Sequence, residues 1–359
     1  MMEKKRLLSL DVLRGLTVFG MIVVNNAGGS QSYESLRHSA WNGLTPCDLV
    51  FPFFLFIMGI STYIALRKFD FQPSAPVIRK ILKRTVLILL IGWAIGWFDF
   101  VCEGDIFPFA HLRLTGVLPR IALCYCVASL LALYVNHKRL AWIAGILLVG
   151  YAVLLCMGNG YACDETNILS VADRGILGTD HLYRKSPIDP EGLVSTLSAI
   201  AHTLIGFCCG ALMLKKGISL ETRILKLAVT GFLLMAVGFL LTEAFPLNKR
   251  IWSPTFVLVT CGLAAMLQAT LTYFIDLKGK KDWCRFFEVF GVNPLFLYVL
   301  SEVAAIVISA TESKPVVYGV IHSCISDPYL ASACYSLLFA LVMGGCGYWL
   351  YKKKIYIKL

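Results

Sequence analysis

Val86-Leu87-Ile88-Leu89-Leu90-Ile91-Gly92-Trp93-Ala94 carries no charge and sits inside an apolar run over 85–101. Crossing a hydrocarbon core of about 30 Å takes about 20 mostly apolar residues, and in lipid each backbone donor and acceptor must be satisfied within the segment. Such a run reads as a membrane-spanning helix. Leu337-Leu338-Phe339-Ala340-Leu341-Val342-Met343 reads the same way near the other end. Working outward, ten candidate spans cover 10–27, 48–66, 85–101, 115–135, 140–157, 193–214, 225–243, 254–275, 287–310 and 331–351. A β-barrel would alternate apolar and polar residues, whereas these runs are solidly apolar. The expected fold is an all-α integral membrane protein. It is a polytopic bundle of about ten transmembrane helices forming one domain over 1–359, with an insertion at 158–192.

Composition agrees. The 359 residues are 58% hydrophobic and 15% charged, with a mean hydropathy of +0.73; soluble domains run at about 45–50% apolar and 25% charged. A cytosolic globule, a disordered chain, a collagen-like fibre and a small disulfide scaffold are excluded. The net charge of +11 would suit nucleic acid if the cations were clustered. Alternating sides from a cytoplasmic N-terminus instead puts 23 of the 33 Lys and Arg on the cytoplasmic side and eight opposite, with Arg14 and Arg120 inside spans. An excess of cations on one side is an orientation signal. It predicts cytoplasmic termini and a bilayer, not nucleic acid, as partner. Asp11 and Arg14 interrupt the first apolar stretch and no small-residue cleavage motif closes it, so it is not read as a cleavable signal peptide. Most of the 13 cysteines lie within spans as small apolar residues. Cys102, Cys163 and Cys324 fall on the outer face and leave room for one disulfide of undetermined pairing.

Polar residues inside spans are costly and mark function by default. Asp11 and Arg14, three apart, share a helical face near the cytoplasmic end. They form either a local ion pair or a site where Arg14 meets an anionic ligand and Asp11 orients it. Arg120 lies deeper, after Pro119, where the span must be broken or line a cavity. The densest polar cluster flanks the outer ends of the first two spans: Asn25, Asn26, Gly28, Gly29, then His38, Trp41, Asn42, Gly43, Thr45 and Asp48. Imidazole is the side chain suited to moving protons near neutral pH. Asp48 either caps the second helix or holds His38 in one tautomer. Further polar clusters are Asp189-Pro190-Glu191-Gly192, the stretch from Asn248 to Ser253 with Trp252, and Asn293-Pro294, which predicts a kinked helix.

In chain order, the following blocks resemble the heparan-α-glucosaminide N-acetyltransferase-like transmembrane acyltransferases, as a bacterial homologue: Ser9-Leu10-Asp11-Val12-Leu13-Arg14-Gly15; Val24-Asn25 with Gly28-Gly29; His38-Ser39-Ala40-Trp41-Asn42-Gly43-Leu44-Thr45; Asp48-Leu49-Val50-Phe51-Pro52; Gly116-Val117-Leu118-Pro119-Arg120-Ile121; Asp189-Pro190-Glu191-Gly192; Pro246 to Ser253; and Gly291-Val292-Asn293-Pro294. The family usually has Gln where Pro119 stands. The resemblance implies acetyl transfer from acetyl-CoA to an amino sugar across the membrane. It matches the family's active histidine to His38 and its partner asparagine to Asn25, about two residues further apart here. It also implies a homodimer. The large lumenal domain and the leading span of the animal enzymes have no counterpart in the sequence, which turns the expected acceptor away from heparan fragments.

The residue types suit that chemistry. An amine attacking a thioester must lose a proton, so His38 is the expected general base, held by Asp48. Charge builds on the thioester oxygen, where the Asn25 amide can donate a hydrogen bond. Asp11, Arg14, Arg120, Arg79, Arg84 and Asn293 are the expected acetyl-CoA residues, with Lys80 near them; no metal is required. Trp41, Asn42, Asp189, Glu191, Asn248 and Trp252 are the expected contacts of a glucosamine-bearing saccharide. The location that follows is a bacterial inner membrane with the His38 loop facing the periplasm. Two alternatives stay open: a ping-pong cycle with His38 as nucleophile, and a secondary transporter built on Arg120, His202, Glu302 and the break at Asn293. A hydroxyl acceptor also remains open.

Overall fold

The computed structural model describes residues 7–184 and 186–357. Lys4, Lys5, Arg6, Lys185 and Lys358 of the charge count lie outside the described residues. All regular structure among the described residues is helical. In chain order the helices are α1 Leu8–Asn25, α2 Val50–Leu66, α3 Ala75–Cys102, α4 Val117–Tyr134, α5 His137–Met157, α6 Ile168–Leu177, α7 Thr196–Met213, α8 Leu220–Leu240, α9 Pro254–Leu271, α10 Cys284–Val292, α11 Pro294–Ala310, α12 Ser313–Cys324 and α13 Pro328–Lys352. Nine helical runs among the described residues are long and apolar enough to cross a membrane, each overlapping a span read from the sequence. Short 3₁₀ turns extend α2 to Pro46–Phe69 and α8 to Leu220–Glu243, and a π turn extends α9 to Leu277.

The span expected at 287–310 is two helices, α10 and α11, meeting at 79°. Proline removes the amide a continuous helix needs and drives the residue before it out of helical conformation. Asn293 accordingly sits at φ −123°, ψ 56°, and Pro294 opens α11. The predicted kink is thus a break. The insertion at 158–192 contains α6. Buried Asn167 organises it: the side-chain carbonyl caps the helix by accepting from Leu169 N at 2.9 Å, and the amide donates to the Gly160 and Ala162 carbonyls at 2.8 and 2.9 Å. Among the described residues every cysteine is a free thiol, Cys102, Cys163 and Cys324 included.

The chain divides into two compact units. The first holds the described residues up to His38, residues 45–54 and those from Leu267 onward. Its core joins Val18, Ile22 and Val23 of α1 to Phe290, Leu297, Phe339, Ala340 and Met343. Here α1 and α10 meet backbone to backbone. A Cβ on Gly15 would lie 1.7 Å from the Phe287 carbonyl oxygen, and one on Gly291 would lie 2.0 Å from that of Asp11. Only glycine permits that approach, the small-residue packing expected where lipid supplies no hydrophobic drive between helices.

The second unit holds 39–44 and 55–266. Its outward faces are apolar: Leu82, Val86 and Leu90 of α3 and Leu225, Val229, Phe232 and Leu233 of α8 are all exposed, as lipid-facing helices require. Tyr151, Leu155, Leu169, Ile188 and Ile251 form a buried cluster that seats the insertion.

Gly15→Val is expected to force α1 and α10 apart at a cost of about 1–3 kcal/mol or more. Gly145→Ala, with open space around it, should cost nothing. Apparent melting temperatures in one detergent check the pair; equal values would show that the α1–α10 contact is not tight.

Candidate active site

In the first unit, the chain leaves α1 at Asn25 and is tied to α13 before it turns. Ser336 Oγ donates to the Asn26 carbonyl at 2.9 Å, and Gly29 N donates to Ser332 Oγ at 3.2 Å. Asn25 is thereby held at an exposed helix end, its amide donating to Glu302 Oε1 on α11 at 3.4 Å. Ten residues separate His38 from Asp48, yet His38 Nδ1 lies 2.8 Å from Asp48 Oδ1. Asp48 is fully buried. Its other oxygen accepts from Thr45 N at 3.2 Å and Thr45 Oγ1 at 3.0 Å, closing a capping box on the turn Pro46–Leu49. The two roles read for Asp48, helix cap and histidine partner, hold together. With Nδ1 donating to a carboxylate, the neutral ring presents the Nε2 lone pair. The His38 side chain is 48% exposed, enough for a substrate to reach that lone pair. The Cys47 thiol lies beside the ring, 3.1 Å from Nδ1 and 3.8 Å from Nε2.

The other end of α1 carries the remaining predicted residues of this unit. Arg14 Nη1 donates to Asp11 Oδ1 at 2.9 Å and to the Gly291 carbonyl at 3.3 Å. Asn293 donates to the Ile355 carbonyl and accepts from Ile357 N, both at 2.9 Å, so its amide holds the chain after α13. Beside them is a polar group the sequence did not single out. Ser9 Oγ meets Gln268 Nε2 at 3.0 Å and Thr272 Oγ1 at 3.2 Å, where the π turn Thr272–Leu277 begins.

In the second unit, 39–44 is pinned as a short strap. Trp41 Nε1 donates to the Tyr161 carbonyl at 2.9 Å, Asn248 Nδ2 donates to Asn42 Oδ1 at 3.1 Å, and Gly43 N donates to the Leu247 carbonyl at 2.8 Å. Asn248 is fully buried and also accepts from Ile251 N at 3.1 Å. Trp252 is fully buried at φ +52°, a conformation costly for a large side chain. The guanidinium of Arg120 lies 5.0 Å from its ring centroid. Arg120 is 1% exposed; its Nη2 donates to the Gly192 carbonyl at 3.1 Å and to Ser195 Oγ. Its Nε and Nη1 have no hydrogen-bond partner among the described residues. Arg79 and Arg84 diverge. Arg84 stacks 4.6 Å from the Tyr125 ring centroid, while Arg79 lines an apolar groove of about 620 Å³ along the outside of α3.

The Asp189–Glu191 loop is built around one carboxylate. Asp189 accepts from Arg113 Nε at 3.1 Å, Arg113 Nη2, Thr115 Oγ1, Tyr183 N at 2.8 Å and Glu191 N at 2.9 Å. Glu191 accepts from Arg113 Nη2 at 2.8 Å. Burial alone would raise the Asp189 carboxyl, but the hydrogen bond and charge of Arg113, with Thr115 and the Glu191 amide, outweigh it and hold it below the usual carboxylate range. Burial likewise works against the Arg113 charge, yet Glu191 and Asp189 raise its pKa above the ordinary guanidinium value.

Asp173, on α6, shows the opposite balance. It is 1% exposed and accepts from Val194 N at 3.0 Å. Burial and the negative charge of Asp189 push it up to about 6, against the Val194 hydrogen bond and the Arg120 charge. A carboxyl raised on folding favours the fold below its unfolded pKa and disfavours it above its folded one. Asp173→Asn should therefore stabilise the protein at pH 7.5, by up to about 3 kcal/mol, and the gain should fall to about 1 kcal/mol near pH 4.5. Thermal unfolding of both proteins at the two pH values checks this; an equal gain at both would rule it out.

Residues 6–184 match the family described as "Heparan-alpha-glucosaminide N-acetyltransferase, catalytic". Over these residues the chain is similar to that family. Two relatives carry the name heparan-alpha-glucosaminide N-acetyltransferase. The one from Homo sapiens is 27% identical and the one from Mus musculus 26%, each over 83% of this chain and 53% of the relative. The chain thus spans about half the length of these relatives. The stretch matched to the N-acetyltransferase family contains Asn25, His38 and Asp48, whereas Asp189, Asn248, Asn293 and Glu302 lie beyond it.

Sequence reasoning missed Arg113, Thr115, Cys47 and the Ser9–Gln268–Thr272 group, which carry no local signal of their partners. Glu302 did carry one, as a carboxylate inside an apolar run.

Proposed function

We propose that this chain is a transmembrane acetyltransferase that moves an acetyl group from acetyl-CoA to the amino group of a glucosamine-like sugar. The observation that carries this reading is the His38–Asp48 pair at 2.8 Å, on a buried carboxylate that fixes the ring and leaves Nε2 as an accessible base. His38 Nε2 takes the proton from the acceptor amine as its nitrogen attacks the thioester carbon. The Asn25 amide donates to the oxygen on which charge develops. Collapse of the tetrahedral intermediate expels the CoA thiolate, which takes the proton from the imidazolium. Asp48 stays ionised and steadies that imidazolium.

The donor phosphates call for cations, and of the chain's predicted set Arg14, oriented by Asp11, with Arg79 and Arg84 suits them; Arg120 instead packs on Gly192 and Trp252, and the Asn293 amide is taken up by Ile355 and Ile357. On the acceptor side the assigned residues are Trp41, Asn42, Asp189, Glu191, Asn248 and Trp252, with Asp189 shaping its loop and Glu191 presented by it. The proposed setting is an inner membrane with both termini cytoplasmic and His38 facing the periplasm, as the distribution of Lys and Arg supports. The break at Asn293 is the one observation that favours secondary transport instead.

In membranes supplied with labelled acetyl-CoA and a glucosaminide, wild type should form the N-acetyl product. His38→Ala should lower kcat about 10²–10⁴-fold and Asn25→Ala about 10²–10³-fold. Full activity in His38→Ala would remove the site assignment, and solute uptake without acetylation would favour the transporter. Label retained on His38 or Cys47 without acceptor, together with ping-pong kinetics, would replace direct transfer by an acyl-enzyme route. For sidedness, alkaline phosphatase fused after Asn159 should be active and green fluorescent protein fused after Leu359 should fluoresce; the reverse pattern would invert the topology.

A further inference from the structure

The acetyl-transfer reading uses Asn25 but gives no role to the carboxylate that touches it. Glu302 lies on α11, in an otherwise apolar helix, and accepts from the Asn25 amide at 3.4 Å. The first unit thus presents two carboxylates next to its candidate chemistry. Asp48 is fully buried and engaged with His38 and Thr45. Glu302 is only partly buried and its partner Asn25 is exposed, so this carboxylate stands at the surface a substrate would approach.

Geometry limits where the acceptor nitrogen can be. If Asn25 donates to the thioester oxygen, that oxygen lies about 2.9 Å from the amide nitrogen. The carbonyl carbon is about 1.2 Å further, and the attacking atom approaches that carbon to about 3–3.5 Å. The nucleophile therefore sits within about 8 Å of the atom that Glu302 already contacts. A sugar amine arrives largely as an ammonium, and removing it from water is costly unless a counter-charge is waiting. A hydroxyl acceptor arrives neutral and gains little from a carboxylate there.

We propose that Glu302 is the specificity-determining residue of the acceptor site: its carboxylate receives the ammonium of a cationic amino sugar beside Asn25, selecting amines over hydroxyls. The assignment rests on the acetyl-transfer reading for its geometry and makes the acceptor class definite. The ammonium docks on Glu302 and sheds one proton to water; the neutral amine then attacks and gives its second proton to His38 Nε2, which passes it to the CoA thiolate. The products are the amide, the CoA thiol and one released proton, so no co-reactant beyond acetyl-CoA enters.

The test has a binding arm and a kinetic arm, both on the full chain in nanodiscs. Equilibrium binding of methyl glucosaminide and of methyl glucoside, without donor, is compared in wild type, Glu302→Gln and Glu302→Asp. Wild type should prefer the glucosaminide by at least about tenfold. Glu302→Gln should erase the preference with glucoside binding unchanged, and Glu302→Asp should restore part of it. In acetyl transfer, Glu302→Gln should raise the glucosaminide KM at least about tenfold and leave the acetyl-CoA KM unmoved, a split that general misfolding would not produce. A preference unchanged in Glu302→Gln, or absent from wild type, overturns the assignment whether or not acetyl transfer is observed. An amine preference that depends on Glu302 in a protein that transfers no acetyl group would uphold the amine site and remove the transferase reading instead.

Discussion

Asp48 is where the membrane-spanning framework and the candidate chemistry meet. Its carboxylate caps the turn that opens into α2, so its position is fixed by a helix start. A helix N-terminus also favours negative charge, which offsets part of the cost of burying it. The same carboxylate holds His38 Nδ1 at 2.8 Å, and so the ring inherits the placement of the span. Without that bond, His38 would be a solvent-facing loop residue with either tautomer open to it. The Thr45 hydroxyl lies between both parts, 3.0 Å from Asp48 and 2.8 Å from the Arg37 carbonyl, so that its single proton is shared between cap and loop.

Two carboxylates in the other unit show how little separates a rigid support from a titrating one. Asp189 and Asp173 are both nearly inaccessible. Asp189 faces a guanidinium fork that neutralises it and fills its lone pairs, and it stays ionised. Asp173 receives a backbone amide and the repulsion of Asp189, and its proton is retained to about pH 6. Burial is common to both; the partner decides the sign.

Much of the fold was legible because a membrane forces a simple code. Solid apolar runs of the right length are helices, and each observed spanning run falls on one read from sequence. The break at Asn293-Pro294 was signalled by proline chemistry, although the angle of 79° was not, since it depends on the neighbours of α10 and α11. The helix at Ile168–Leu177 was not legible: too short to span and bracketed by turn residues, it depends on one buried asparagine. In the candidate site, the His38–Asp48 pairing was readable as an alternative from spacing. The Asn25–Glu302 contact joins positions 277 residues apart and has no local trace. Arg113 was invisible for the same reason, as its value comes wholly from a loop 76 residues away.

The glycine contact between α1 and α10 gives α1 a fulcrum. The helix is 18 residues, about 27 Å long, and its tightest contact lies near its middle, at Gly15. A ridge of backbone locked against backbone at that point resists sliding, so the least costly motion of α1 is a tilt about it. Arg14 and Asp11 sit at the pivot and on its short arm, and Asn25 sits at the tip of the long one. A tilt about that contact would carry Asn25, ten residues beyond Gly15, further than it carries Arg14 beside it.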